Sequence, residues 1–195
     1  MTSSTASIPA WSSTGVLPPI RPNAPGSSPD RSPYVVDLAV LFDRFATSPE
    51  RTAILDGLLR FRAGLHAAGI TSGFQWLDGS FLEQIEALES RAPRDMDVVT
   101  FFDLPQGLGQ RSLAETHGIL FDRERVKAAY AMDAYFAVLG QPTDQWHVKN
   151  IAYWYSMWSH RRDGLWKGFV QVNLDPTQDS DAQAVLNHAW GIHHE

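Results

Sequence analysis

An α/β (α+β) fold, a small mixed β-sheet with flanking helices, is what this sequence predicts, and three observations carry the expectation. Stretches with apolar residues every three or four positions alternate with short β-branched and aromatic runs. Turn and breaker signals such as Asp78-Gly79-Ser80, Gly107-Leu-Gly109 and Pro142 separate them. No internal repeat of solenoid or propeller length is present, and a 195-residue chain that is 44% hydrophobic and 19% charged suits one globular domain. Composition divides it into a Pro/Ser-rich arm over 1–33, a domain over 34–178 and a polar C-terminal tail over 179–195.

In the arm, Pro18-Pro19, Pro22, Pro25, Pro29 and Pro33 suppress helix, and Trp11, Val16, Leu17 and Ile20 offer apolar side chains that would dock it on the domain. A first helix is expected over about 37–46. A second opens with Ser48 as N-cap and Pro49 at the first helical position; Ile54, Leu58, Phe61, Leu65 and Ala68 then recur at steps of four and three, and Gly69 ends it. Phe74-Gln-Trp-Leu77 reads as a strand running into the Asp78-Gly79-Ser80 turn. A helix carrying Phe81, Leu82, Ile85 and Leu88 follows, until Pro93 forces an extended path.

Asp95-Met-Asp-Val-Val-Thr-Phe-Phe102 is too β-branched and aromatic to be other than a buried strand. Helices near 110–117 and over 123–130, the latter capped by Asp122, lead to a strand over 131–139. An aromatic-rich helix over 143–160 and a last strand with Val170, Val172 and Leu174 alternating complete the domain.

A net charge of −6 argues against a long basic groove for nucleic acid, whose affinity comes mostly from phosphate neutralisation. The absence of cysteine excludes disulfides and thiolate zinc sites. The N-terminal Met1-Thr-Ser-Ser-Thr-Ala-Ser7 lacks a basic and an apolar region, and nowhere are eighteen consecutive residues apolar. The expectation is a soluble, cytoplasmic protein with no membrane contact.

Three carboxylates stand inside apolar strands, where an ionised side chain is costly unless a cation or hydrogen bonds compensate it. Asp95 and Asp97 are two residues apart, which on a strand puts both side chains on one face with Cα atoms about 6.5 Å apart. Asp133 sits in Tyr130-Ala-Met-Asp-Ala-Tyr-Phe136, and a neighbouring strand would bring it alongside. Hard oxygen ligands of this kind suit Mg²⁺ or Mn²⁺. Gly79-Ser80 supplies the complementary half, because a glycine turn admits a phosphate close to the backbone and a following helix N-terminus offers free N–H groups. A helix over 81–88 rises about 12 Å, and residues 89–94, if extended, return up to roughly 20 Å, so Asp95 can lie beside Ser80.

In these motifs, covering 74–136, the chain resembles the DNA polymerase beta-like nucleotidyltransferase superfamily: an apolar strand, Gly-Ser, a short helix, Asp-x-Asp on the next strand and a third acid on a later one. It is similar over nearly its whole length to a family of small bacterial nucleotidyltransferase-like proteins that share Trp11…Gly15-Val-Leu-Pro-Pro19, Gln75-Trp-Leu-Asp-Gly-Ser80 and Trp166-Lys-Gly168. The resemblance implies a minimal nucleotidyltransferase fold. Asp95, Asp97 and Asp133 would be the catalytic, metal-binding acids, with Asp133 helping to activate the acceptor hydroxyl, and Gly79 and Ser80 would hold the triphosphate of an NTP such as ATP. It implies transfer of a nucleoside monophosphate to a hydroxyl of a protein, an RNA end or a small molecule, in a toxin-antitoxin or defence setting. One departure is the gap from Ser80 to Asp95, longer than in the minimal members. The rival expectation is a non-catalytic nucleotide-binding or regulatory protein acting through a partner.

Other residues read more plainly. Asp78 and Asp103 flank the motif strands as surface strand ends, and Arg91 and Arg94 as solvated loop residues. His188, His193 and His194 lack the spacing of zinc motifs and read as part of a polar tail. Trp146, Trp154 and Trp158 read as a core-facing stripe. Lys167 either meets a phosphate or snorkels from a strand edge.

Overall fold

The structure is a computed structural model that describes residues 7–194, with side chains as far as Gly191. The N-terminal Met1-to-Ala6 stretch and the side chains of His193 and His194 therefore lie outside the described residues. Within them the expected mixed α+β architecture is present: one five-stranded sheet flanked by helices. The sheet comprises β1 (Tyr34–Val35), β2 (Gly73–Asp78), β3 (Met96–Phe102), β4 (Met132–Val138) and β5 (Val170–Asn173) in the order β1-β5-β2-β3-β4. β2 runs antiparallel to both neighbours, whereas β1 with β5 and β3 with β4 are parallel.

The register divides the side chains cleanly. Phe74 pairs with Phe101, Trp76 with Val99 and Asp78 with Asp97, and Asp97 with Asp133 and Val99 with Tyr135 across the next ladder. All of these therefore share one face of the sheet. Leu77, Val98, Thr100, Phe102 and Phe136 line the other, which meets α2 (Pro49–Ala67): Phe61 lies 6.3 Å from Phe136, and buried Arg62 donates to Gln75 Oε1 at 2.9 Å. Ser48 caps α2 as expected, its side chain accepting from Arg51 N–H. Beside α2 pack α1 (Leu38–Phe45) and α6 (Arg123–Tyr130), the latter capped by Asp122. No helix among the described residues is long and apolar enough to cross a membrane.

Three segments depart from expectation, each for a long-range reason. The presumed tail forms α8 (Asp179–His194), which buries Ala182, Leu186 and Ala189 against α1 and α2. Arg62 fixes its first residue, donating to Asp179 Oδ1 at 2.8 Å and to the carbonyl of Asn173 at 3.0 Å. The helix expected after Ser80 is split into a 3₁₀ turn, Ser80–Leu82, and α3 (Ile85–Glu89), with Glu83 extended between them. There Arg51, 1% exposed, donates to the carbonyls of Phe81 (2.6 Å) and Glu83 (2.7 Å), and Trp11 Nε1 donates to that of Leu82 (2.7 Å). Carbonyls satisfied from outside do not need the next helical turn.

The third departure is on α7 (Gln145–Trp158), which crosses the face opposite α2. Trp154 and Trp158 are buried against Tyr135 and Phe169, but Trp146 is 66% exposed and outside the core stripe. The short helices α4 (Gln110–Thr116) and α5 (Gly118–Phe121) complete the β3–β4 crossover.

Arg51 gives a stability prediction. Arg51→Met leaves two buried carbonyls without donors and should cost about 3 kcal/mol, read as a lower urea midpoint at unchanged m-value. Glu86, its 42% exposed carboxylate partner, should cost under about 1 kcal/mol when changed to Gln. Equal losses would assign the effect to the ion pair instead of the carbonyl contacts.

Candidate active site

Register alone assembles the acids. Asp78 ends β2 directly across from Asp97 on β3, and Asp97 lies directly across from Asp133 on β4. Asp95 precedes β3 by one residue on the same side as Asp97. All four open into one cleft of about 700 Å³, which Gly79, Ser80 and the C-terminal end of α7 also line.

Gly79 has φ of +90°, the backbone state that glycine adopts without strain. A Cβ there would stand 2.9 Å from Asp97 Oδ2, so a side chain at this position would push against that carboxylate. The phosphate turn expected at Gly79-Ser80 thus lies against the central acid. Ser80 is half-buried and its hydroxyl has no hydrogen-bond partner among the described residues. It opens a 3₁₀ turn instead of an α-helix, so a helix dipole is not part of what the turn offers.

Cations of α6 compensate two of the acids. Arg123 grips Asp133 with Nε and Nη2, the latter at 2.7 Å, and holds its carboxyl below the usual range. Lys127, one helical turn on, places Nζ 2.6 Å from Asp95 and 3.6 Å from Asp133. Asp97 has neither partner; burial first, and then the charges of Asp133 and Asp95, push its carboxyl up to about 6. The three expected ligands are therefore brought together without converging on one point. Among the described residues no group of three His, Cys, Asp or Glu is placed to hold a metal ion. The donor chemistry nonetheless fits a hard cation: carboxylates on adjacent strands, a half-buried one without an ion pair of its own, and a lysine ammonium already bridging the other two.

Two residues need a different account from the sequence reading. Asp78 is not a surface strand end but 3% exposed, and burial pushes its carboxyl up to about 7. Lys167 neither snorkels nor stands free: it is 5% exposed, with Nζ 2.9 Å from Asp78 Oδ1 and 3.1 Å from Glu83 Oε1. Burial pulls Lys167 down, but the two carboxylates outweigh it and its net shift is upward. The contact with Asp78 is one of charge, since Oδ1 lacks an aligned hydrogen bond. Arg161 completes the cluster, 2.9 Å from Glu83 Oε2. Asp78 was findable, as it continues the alternation of Phe74 and Trp76; so were Arg123 and Lys127, four apart on a helix leading to Asp133. Asp103 and Arg94 are exposed as expected, while Arg91 is half-buried and pairs with Glu89 at 2.8 Å.

No curated protein and no solved structure matches the chain. A model described as a family of unknown function (DUF6932) matches residues 9–173, a span that runs from the arm through β5 and includes every residue of the acid cluster and the glycine turn. The chain belongs to that family.

Proposed function

We propose that the chain is a metal-dependent nucleotidyltransferase that moves a nucleoside monophosphate from an NTP, such as ATP, to a hydroxyl of a protein, an RNA end or a small molecule. The observation that carries this reading is the juxtaposition at one end of the sheet face that α7 crosses: Asp97 flanked by Asp133 in register, Asp95 on the same side, and the Gly79-Ser80 turn against Asp97. In the reaction the acceptor oxygen bonds to the α-phosphorus, the bond to the bridging oxygen breaks and pyrophosphate leaves. Asp95, Asp97 and Asp133 would hold Mg²⁺, which when bound supplies positive charge to the attacking and leaving oxygens. Ser80 would donate its hydroxyl and backbone N–H to phosphate oxygens. While Arg123 holds it, Asp133 is a poor proton acceptor, so activation of the acceptor requires Arg123 to swing out.

That pairing favours one other reading. With Asp133 and Asp95 already neutralised by Arg123 and Lys127, the same cleft would serve a non-catalytic nucleotide-binding or regulatory protein acting through a partner. Labelled ATP, Mg²⁺ and a cell lysate distinguish the two: label transferred to an acceptor supports the enzyme, whereas nucleotide binding without transfer supports the alternative.

Asp97→Asn should lower transfer at least about a hundredfold while leaving the fold intact. Without divalent cation it should also stabilise the protein. A half-buried carboxyl whose proton is held more tightly in the folded state loses stability as pH rises from about 4 to about 6, and stays destabilised above that. The variant should therefore gain on the order of 1–3 kcal/mol over wild type at pH 8 and little at pH 4 in chelator-treated urea titrations. A gain independent of pH, or full transfer activity, would count against the assignment.

Ser80→Ala should weaken NTP binding roughly ten- to hundredfold by calorimetry, the worth of one hydrogen bond to a charged group. Melting temperature should barely move, because the hydroxyl bonds nothing in the fold. Unchanged affinity would remove Ser80 from the phosphate site.

A further inference from the structure

Lys167 is a buried cation for which the proposed chemistry has no direct use. Its Nζ touches the residue before the glycine turn, Asp78 (2.9 Å), and the residue after the 3₁₀ turn, Glu83 (3.1 Å). Between those two contacts lie Gly79, Ser80, Phe81 and Leu82, closed internally by the Leu82 N–H to Gly79 carbonyl bond and the Glu83 N–H to Ser80 carbonyl bond, both 3.2 Å, while Arg51 and Trp11 hold the carbonyls on its far side and leave the Gly79-Ser80 end to Lys167. We propose that Lys167 is a positioning residue for the phosphate turn: by bridging Asp78 and Glu83 it clamps both ends of Gly79-Ser80 and holds the Ser80 hydroxyl and N–H toward the acids. The inference rests on the nucleotide site proposed above.

The surroundings fix Lys167 as tightly as Lys167 fixes the turn. The N–H of Gly168 donates to the Leu17 carbonyl at 2.7 Å, and a Cβ on Gly168 would stand 2.6 Å from the Pro18 carbonyl, so strand and arm lie in close contact. The same arm reaches the far side of the turn, where Gln84 N–H donates to the Gly15 carbonyl at 2.8 Å and Trp11 holds the Leu82 carbonyl. Arg161 takes the second oxygen of Glu83. Three motifs far apart in sequence, Trp11 to Pro19, Gln75 to Ser80 and Trp166 to Gly168, thus meet around one ammonium.

Stability alone does not account for that choice. Burying three charged groups carries a desolvation cost that well-packed apolar side chains of similar volume would avoid. A compact ammonium with three donors does what an apolar side chain cannot, fixing two carboxylates relative to each other. The carboxylate it fixes at one end, Asp78, adjoins Gly79 and stands across from Asp97, so the clamp sets the distance between the turn and the acids. Small displacements of such a turn are expensive for binding, since a misplacement of about 1 Å can cost on the order of a hundredfold.

Lys167→Met would leave Asp78 buried without a cation and Glu83 with Arg161 alone, so the main test is the neutral triple variant Lys167→Met with Asp78→Asn and Glu83→Gln. Three quantities are read: exchange of the Leu82 and Glu83 amides by hydrogen–deuterium exchange, affinity for a nonhydrolysable ATP analogue with Mg²⁺, and affinity for Mn²⁺ alone. The expected result is amide exchange accelerated about tenfold or more and analogue affinity reduced roughly ten- to hundredfold. Mn²⁺ affinity should change by less than about threefold, because the clamp does not touch Asp95, Asp97 or Asp133. A merely structural lysine would move melting temperature but leave the analogue and Mn²⁺ affinities of the folded protein in their original ratio, and that result overturns the proposal, as does unchanged amide exchange. If wild type binds no analogue, the nucleotidyltransferase reading fails, while the amide exchange still decides whether Lys167 holds the turn. Should the triple variant not fold, Asp78→Asn alone, which frees one end of the clamp, is decided by the same readouts.

Discussion

The ammonium of Lys167, buried between the carboxylates of Asp78 and Glu83, ties the loop after the central strand to the start of the strand paired beside it. Asp78 ends the central strand, Glu83 sits in the break between two short helical turns, and Lys167 leads into β5. Charge in the interior is stable only when each member finds its partner, so none of the three segments can shift without stranding another. The arm gains its path from the same constraint. Leu17 accepts from Gly168 and Gly15 from Gln84, on either side of the ion cluster, so the arm is packed into the position that its proline-rich composition leaves undefined.

Buried cations recur as the organising device elsewhere. Arg62 joins α2 to the start of α8 and to the carbonyls of Asn173, which ends β5, and Asp175, and Arg51 joins α2 to the carbonyls of the broken helix. A guanidinium directs several donors at fixed angles, which lets one side chain satisfy irregular backbone that would otherwise be unstable away from water. The effect is a division of labour across the sheet. The α2 face is fully buried, its few polar groups bonded to one another through Arg62, Gln75 and Thr100, and the opposite face carries the acids at one end and is covered by α7 through Trp154 and Trp158.

That division explains what could be read from the sequence. Elements with strong periodicity and local caps were legible nearly to the residue: α2 from Ser48-Pro49 and its apolar spacing, α6 from Asp122, β3 and β4 from their β-branched and aromatic content. So was the grouping of Asp95, Asp97 and Asp133 with Gly79-Ser80, since strand alternation and one return path determine it. Features decided by a distant partner were not legible. The break at Glu83 depends on Arg51 and Trp11, and α8 on an arginine more than a hundred positions away, with Ala182, Leu186 and Ala189 as its buried apolar side chains among the described residues. Asp78 departs from its surface reading, and Lys167 from the snorkelling alternative, for the same reason: each alone belongs at a surface, and only the pair belongs in the interior.

The cations on α6 differ from those buried ones in a way that bears on the proposed chemistry. Lys127 and Arg123 are 43% and 52% exposed at their side chains, whereas Lys167 is 6% exposed. Both groups neutralise acids of the same cleft, but an exposed side chain regains solvent when displaced and a buried one does not. Exchange of the α6 cations for a divalent ion would therefore cost little, and exchange of Lys167 would dismantle the turn. The cleft thus combines a fixed half, Asp78, Gly79 and Lys167, with an exchangeable half, Asp95, Asp133 and their α6 partners, and Asp97 lies between the two. A site that must admit charged ligands, and release them, needs the second half to be loosely held and the first to stay in place.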